Sequence, residues 1–446
     1  MANHSAHVAI VYFVCGGCPT VGPTELDNAP PEIEIEDAFS TLPGFSRTIP
    51  FTITDEEGDE VEITWTAVSG ELIVDEVVTY KAGEKDDTIV IIADDGNHNV
   101  VTAHIDVTVG AHDGFSPPEP IAITEGNAKS PSTAILDDGS IHVVWHDFTE
   151  DPTALHHAIG QDGEWTSTLM NLHDGKCIRP RLLAEGDQLH LWWDQWTADK
   201  TTVYYSSWTN GSWSAAQEVA IGEKPSGAFL SDGSLHVIYF TESGPAHSQY
   251  IDGVWVDGDT MPTNNYINDF RLRLVAIDDR LEAVVATSPG EVGYDIRLYS
   301  WTAAQKWSFE PLHTSQYSSS DEPEGSLDFA SQPYWVWTEQ TLADEWTFGV
   351  AIKGSEEEQP SWVTKESGSS MSPTVTIPPD KTPIVAWINP RESISLARAP
   401  FNTAIDISDG RGAGPQLAVD AEGFTHLVYY AYDDSSQQIW YSTNRP

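Results

Sequence analysis

One turn-and-strand unit recurs seven times along the last three-quarters of the chain, and it restricts the fold more tightly than anything else in the sequence. It first reads Asp138-Gly139-Ser140-Ile141-His142-Val143-Val144-Trp145. It returns at 186–193, 232–239, 279–285, 332–337, 381–387 and 423–429, spaced by roughly 42 to 52 residues. A short strand precedes the early copies (132–136, 181–184, 227–230) and another follows them (155–159, 202–208, 248–251). A fourth begins at an aromatic after a glycine turn, as at Trp165, Trp213 and Trp255, then at Trp307 and Trp362, with a degenerate copy near Ile405. Four short strands per repeat of this length is the period of a propeller blade. The seventh copy stops after its third strand, and an unassigned strand, 114–121, stands ahead of the first copy. The expectation is a closed ring of seven blades in which 114–121 supplies the missing outer strand, because closure removes exposed sheet edges.

Charge excludes several functions. The 446 residues carry 69 Asp+Glu against 21 Lys+Arg, a formal charge of −48 and a pI near 4.3. Such a surface repels nucleic-acid phosphates and anionic headgroups, so no nucleic-acid partner is expected. With 17 Trp, 15 Tyr and 14 Phe the chain is not a disordered acidic tail. Its 33 Gly and 28 Pro supply turns. The fold class expected is all-β: a small β-sandwich, Ig-like by the resemblance given next, followed by a seven-bladed β-propeller.

Residues 32–110 carry the sandwich expectation. Alternation such as Val101, Ala103, Ile105, Val107 and Val109 marks half-buried strands, and about six such runs fit in this segment. The turns Asp55-Glu56-Glu57-Gly58-Asp59 and Asp94-Asp95-Gly96 resemble those of bacterial cadherin-like and PKD-like modules. That resemblance implies Ca²⁺ held by Asp55, Glu57, Asp59, Asp94 and Asp95; the alternative is plain solvated turns. No other cofactor is expected. Residues 1–31 read as leader and linker. The apolar run 7–14, followed by Cys15-Gly16-Gly17-Cys18 and a polar spacer, resembles the end of a bacterial lipoprotein signal. It implies membrane attachment through a lipid on Cys15 or Cys18; the alternative is an inert leader. Cys177 is expected to be a buried apolar residue.

The repeats of 112–446 resemble sialidase-like, BNR-repeat-like propellers of exported bacterial proteins. The features shared are a proline-led first strand, the Asp-Gly-x-apolar-His-Val-Val-Trp second strand and an Asp-Gly-x-Trp start to the fourth, as at Asp162 and Asp252. The resemblance implies an extracellular or cell-surface protein whose partner is a glycan or a surface protein. The function expected is non-catalytic binding of carbohydrate or another extracellular polymer, with a surface protein-interaction scaffold as a further alternative. Sialidase-like glycoside hydrolysis is the enzymatic alternative, with Arg179, Arg271 and Arg411 as the carboxylate-binding arginines by blade position. The expected Tyr/Glu nucleophile pair cannot be assigned.

Basic residues gather at the entries to the first strands of the early repeats. Lys129, Arg179, Lys224 and Arg271 each lie eleven to thirteen residues before the recurring strand, with Arg181 close by. A rim of this kind fits an anion or a carboxylate-bearing sugar, because guanidinium forks bind carboxylates with paired hydrogen bonds; the alternative is local compensation of the acidic surface. Asp147 and Asp194 follow equivalent strand ends and are read as a candidate acid–base pair. Trp196 is the candidate stacking face for a sugar ring. His142, His190, His236 and His426 share one repeat position, as do Trp145, Trp193, Tyr239, Trp337, Trp387 and Tyr429. Equivalent positions are spread around a ring, so packing between blades is the expectation for both sets; the alternatives are a metal ring for the histidines and sugar-stacking platforms for the aromatics.

Overall fold

The computed structural model describes residues 7–13, 29–35, 38–41, 46–49, 51–55, 58–59, 61–74, 78–83, 85–97, 99–109, 115–122, 126–149, 152–161, 163–170, 175–262, 272–287, 295–314, 320–327, 332–341, 347–355, 357–365, 370–379, 381–408, 410–432 and 437–445. Among these residues every regular element is a strand, and no helix occurs. The chain divides into two units, Met1–Pro117 and Pro118–Pro446.

In the first unit a five-stranded sheet runs His7–Phe13, Val61–Ala67, Asp87–Asp94, Val100–Val109, Ala38–Thr41, with the last pair parallel. Ser46–Ile49, Val78–Lys81 and Glu71–Val74 form a second sheet, and Glu32–Ile35 pairs with Phe51–Thr54. Burial alternates strictly along Val61–Ala67 and Asp87–Asp94, as the apolar pattern requires. One apolar cluster joins residues of both larger sheets, with Ile63, Trp65, Tyr80, Ile89, Ile91 and Ile105 almost fully buried. The segment read as a leader is placed differently: His7–Phe13 pairs along Val61–Ala67 from His7↔Ala67 to Phe13↔Val61. Its run of β-branched and aromatic residues favours extended backbone, and it covers what would otherwise be an open edge. Cys15 and Cys18 lie outside the described residues.

A buried carboxylate organises one turn of this unit. Asp87 accepts the amides of Val68, Ser69 and Gly70 at 2.8, 3.0 and 2.7 Å and the Tyr80 hydroxyl at 2.9 Å. Burial pushes its pKa up, but these donors outweigh burial and hold it below the ordinary carboxylate value.

The second unit holds seven antiparallel sheets. The first is Ala128–Ile135, Ile141–Asp147, Ala154–Gln161 and Glu164–Met170. The second is Lys176–Glu185, Gln188–Trp196 and Thr201–Thr209, with Ser212–Trp213 and Gln217–Ile221 both on its outer edge. The third to sixth begin at Glu223–Phe229, Leu272–Ile277, Ser320–Leu327 and Met371–Thr376 and have four strands each. In the seventh, Gly412–Val419, Thr425–Tyr432 and Gln437–Thr443 are completed by Glu119–Ala122, which pairs Glu119↔Tyr441, Pro120↔Trp440 and Ala122↔Ile439. The first strand of each sheet packs on the first strand of the next, and that of the seventh packs on that of the first.

Apolar clusters lie between successive sheets. Leu155 and Val144 of the first meet Leu191 and Trp193 of the second. Trp192, on the other face of the same strand, meets Val237 and Tyr239 of the third. Gly227 leaves room for this contact, since a Cβ there would sit 2.3 Å from the Trp192 ring. The recurring aromatics are packing residues: Trp145, Trp193, Trp337 and Trp387 are fully buried, and Tyr239 and Tyr429 nearly so.

The recurring histidines tie the second strand to the third. His142 Nδ1 lies 2.9 Å from His157 Nε2, and His236 Nδ1 lies 2.9 Å from His247 Nε2. In the second and seventh sheets a tyrosine takes the third-strand place, Tyr205 at 2.8 Å from His190 and Tyr441 at 2.7 Å from His426. The other ring nitrogen reaches the preceding turn, at Ser140, Ser234 or Asp420. Burial pushes His142 and His236 down to about 4 and, with the partner histidine adding to it, His157 and His247 down to about 3.

Two outcomes follow. Ile121 is buried against the core between the seventh and first sheets, so Ile121→Ala is expected to cost about 3 kcal/mol in urea unfolding. The histidines are neutral when folded but take a proton below about 6.5 when unfolded, so stability falls as pH drops from about 6.5 toward 4. Replacing His157 and His247 by the tyrosine used in the sister sheets is expected to flatten that fall by about 1.4 kcal/mol per pH unit for each histidine removed. Urea titrations at pH 7, 6, 5 and 4 check this; an unchanged slope would refute it.

Candidate functional site

The candidate residues lie at the end of the sheets where first strands begin and second strands finish. Among the described residues a β-bulge interrupts the first strand there in six sheets. The bulge holds Ser130, Arg179, Lys224, Ser372 and Gly414 in left-handed backbone, at φ of 49°, 51°, 56°, 50° and 58°, each immediately before a proline. For the non-glycine residues this conformation costs on the order of 1 kcal/mol. It also turns an amide toward the preceding sheet. The Arg179 N–H donates to His146 Nδ1 at 3.3 Å, and the Lys224 N–H donates to Asp194 Oδ1 at 2.9 Å.

Arg179 is the centre of this cluster. Its Nε lies 2.7 Å from Asp194 Oδ2, and its Nη2 lies 2.6 Å from Glu223 Oε2. The guanidinium stands over the Trp196 ring, 5.5 Å from its centroid. Trp196 is 45% exposed, whereas Asp194 is wholly buried. Burial pushes the Asp194 carboxyl up to about 7, against the pull of the Arg179 guanidinium and the Lys224 amide. Nε and Nη2 of Arg179 thus each face a carboxylate. At Arg179, the residue expected to clamp an acidic sugar, the charge faces Asp194 and Glu223, and the guanidinium supports the Trp196 ring.

The first sheet repeats the pattern with different residues. Lys129 pairs with His146 as Ile178 pairs with Asp194, so His146 and Asp194 are equivalent. Phe148 is then equivalent to Trp196. It is also 45% exposed, with Lys129 Nζ 5.5 Å from its centroid and His146 edge-on at 4.7 Å. Burial, with Lys129 and Arg179 nearby, pushes His146 down to about 3.

The other sequence candidates separate. Asp147 and Asp194 are one residue out of step, not equivalent, and so face opposite sides of their strands. Asp147 is buried and accepts the Asn127 amide at 3.0 Å, the Thr149 amide at 2.8 Å and the Thr149 hydroxyl at 2.6 Å. Gly126 makes room for it, since a Cβ there would lie 2.0 Å from Asp147 Oδ2. Neither carboxylate stands open to a sugar, so this pair does not provide glycosidic acid–base chemistry. Arg181 turns inward, its Nη1 3.5 Å from Gln416 Oε1 on the first strand of the seventh sheet. Arg411 pairs with Glu392 at 3.0 Å, so the structure does not gather it with Arg179. Arg271 and Glu57 lie outside the described residues.

In the first unit the acidic turns are internally bonded. Asp55 accepts the Asp59 amide at 2.9 Å, Asp94 accepts the Gly96 amide at 2.8 Å, and Asp95 accepts the Asn97 amide at 2.7 Å. The Asn97 side chain bridges the two turns by donating to Asp59 at 2.9 Å. Among the described residues no group of three or more His, Cys, Asp or Glu is arranged to hold a metal.

Phe148, His146 and Glu223 are not among the site residues that the sequence nominates, although the loop 145–151 resembles the loop that carries Trp196. Phe148 was findable: Trp145-His146-Asp147-Phe148 and Trp193-Asp194-Gln195-Trp196 place an aromatic at the same offset.

No family model matches the chain, and no curated protein matches it. Among solved structures it is similar to a protein of unknown function from Dyadobacter fermentans, at 16% identity and a TM-score of 0.48, over 74% of this chain and 98% of that one. It is similar to AofleA from Arthrobotrys oligospora at 12% identity and a TM-score of 0.45, over 67% and 90% of the two chains. It is similar to the β-propeller domain of the Trilobed protease from Pyrococcus furiosus at 8% identity and a TM-score of 0.46, over 72% and 94%.

Arg179→Ala would leave Asp194 buried without its counter-charge, a change of about 3–5 kcal/mol. Urea unfolding at pH 8 is expected to show that loss. It should shrink toward pH 5, where Asp194 takes up a proton and the uncompensated charge disappears. A pH-independent loss would show that packing, not charge, makes the contribution.

Proposed function

We propose that this chain is an exported or cell-surface protein in which an Ig-like sandwich accompanies a seven-bladed β-propeller, and that the propeller binds carbohydrate without cleaving it. The cyclic order of sheet contacts and the outer strand supplied by Glu119–Ala122 support the propeller reading. One observation carries the binding reading: Trp196, a large flat side chain, is 45% exposed in a fold that buries the aromatics recurring at the Trp145 position, and a guanidinium fixed by two carboxylates supports it. A rigid, half-exposed indole beside polar groups offers the apolar face of a sugar ring a surface at little entropic cost. Glu223 and Lys224, both half-buried, belong to the same cluster through Arg179 and Asp194.

A glycan array probed with the full chain identifies the sugar. Trp196→Ala is expected to weaken the leading hit by about 1 kcal/mol, roughly fivefold, with unchanged Tm because the ring is exposed. Retention of full affinity in this variant would place binding elsewhere.

A further inference from the structure

Carbohydrate stacking at Trp196 concerns one sheet, but among the described residues the position it occupies recurs in six sheets. The residue two places beyond the His146 equivalent is Phe148 in the first sheet and Trp196 in the second. In the seventh, where Tyr430 pairs with Ala413 as His146 pairs with Lys129, that position is Tyr432. In the third, fifth and sixth it is Glu242, Gln340 and Pro390. The aromatics therefore fall on three consecutive sheets, seventh, first and second, which pack in that order. The remaining described positions of the circle carry none.

This clustering is not a packing requirement. The buried aromatics that fill the clusters between sheets are distributed around the whole unit. Phe148 and Trp196 are by contrast 45% exposed, and each has a cation 5.5 Å from its ring centroid. Two equivalent, separately supported faces on adjacent sheets suit a ligand that repeats, because each face can meet a successive stretch of the same chain. The charge of −48 disfavours a polyanion, and the guanidinium at this rim is already neutralised by Asp194 and Glu223.

We infer that the ligand is an uncharged polysaccharide chain lying along this arc, with Phe148 forming a second subsite beside Trp196. The inference rests on the carbohydrate reading above and adds the polymer class and the second subsite. Occupying linked subsites converts the second contact into an intramolecular one, so affinity rises with chain length. A single sugar cannot gain this.

The test uses the full chain. Affinity electrophoresis through gels containing xylan, mannan, laminarin or polygalacturonate selects the polymer. Calorimetric titration with its linear oligosaccharides of one to six residues then measures length dependence. We expect a neutral polymer to retard the protein and Kd to fall at least tenfold from the shortest to the longest ligand. Phe148→Ala is expected to abolish most of that gain while leaving the shortest ligand within twofold. Trp196→Ala is expected to weaken every length. Circular dichroism melting confirms that both variants stay folded. Length-independent affinity, or a gain unchanged in Phe148→Ala, overturns the second subsite and leaves carbohydrate binding standing. Retardation by polygalacturonate alone overturns the uncharged class. Failure of every polymer and of the glycan array overturns the carbohydrate reading itself.

Discussion

Packing between neighbouring sheets is the constraint on which the second unit depends. Among the described residues each apolar cluster of this unit joins two sheets: Trp193 is buried against the first sheet while Trp192, its neighbour in sequence, is buried against the third. A four-stranded sheet with both faces apolar has no stable existence alone, and each must be covered on both sides. A linear stack would leave its first and last faces bare. The contact of Gly412–Val419 with Ala128–Ile135, and the strand Glu119–Ala122 on the outer edge of the seventh sheet, remove those bare faces.

The candidate site grows out of the same contacts. A bulge before a proline turns the Arg179 and Lys224 amides back onto the preceding sheet, where a side chain at the end of the second strand receives them. His146 does so in the first sheet and Asp194 in the second. The choice of Asp194 brings a buried charge, and the charge brings Arg179, whose planar head then fixes Trp196. In the first sheet a neutral imidazole sits in that place, and Lys129 rather than a guanidinium reaches Phe148. An inter-sheet hydrogen bond required for folding has thus been elaborated, in two neighbouring copies, into a support for an exposed ring.

The histidine ties show the opposite tendency. His142–His157, His190–Tyr205, His236–His247 and His426–Tyr441 vary in chemistry but keep one geometry, second strand to third, with the turn serine or aspartate on the remaining nitrogen in three of the four. Recurrence with buried, mutually bonded groups marks structure; recurrence with exposure, as at Phe148 and Trp196, marks a surface available to a ligand.

The sequence by itself determined the all-β class and the sevenfold repeat, because period-two apolar alternation and turn residues are local properties. It also showed that the recurrent His and Trp positions pack, since equivalent positions cannot converge on one point. It did not decide the roles of the charged residues. Arg179 and Lys129 look alike as basic residues before a repeat, yet one is the bulge residue and the other precedes it, and that single step separates an ion pair with Asp194 from a contact with Phe148. Asp147 and Asp194 look equivalent at neighbouring strand ends, but pairing sets them one residue apart and on opposite faces. Glu223, from the following sheet, completes the Arg179 cluster only once the sheets are packed. Charge pairing depends on distances across sheets, and those distances exist only in the tertiary structure.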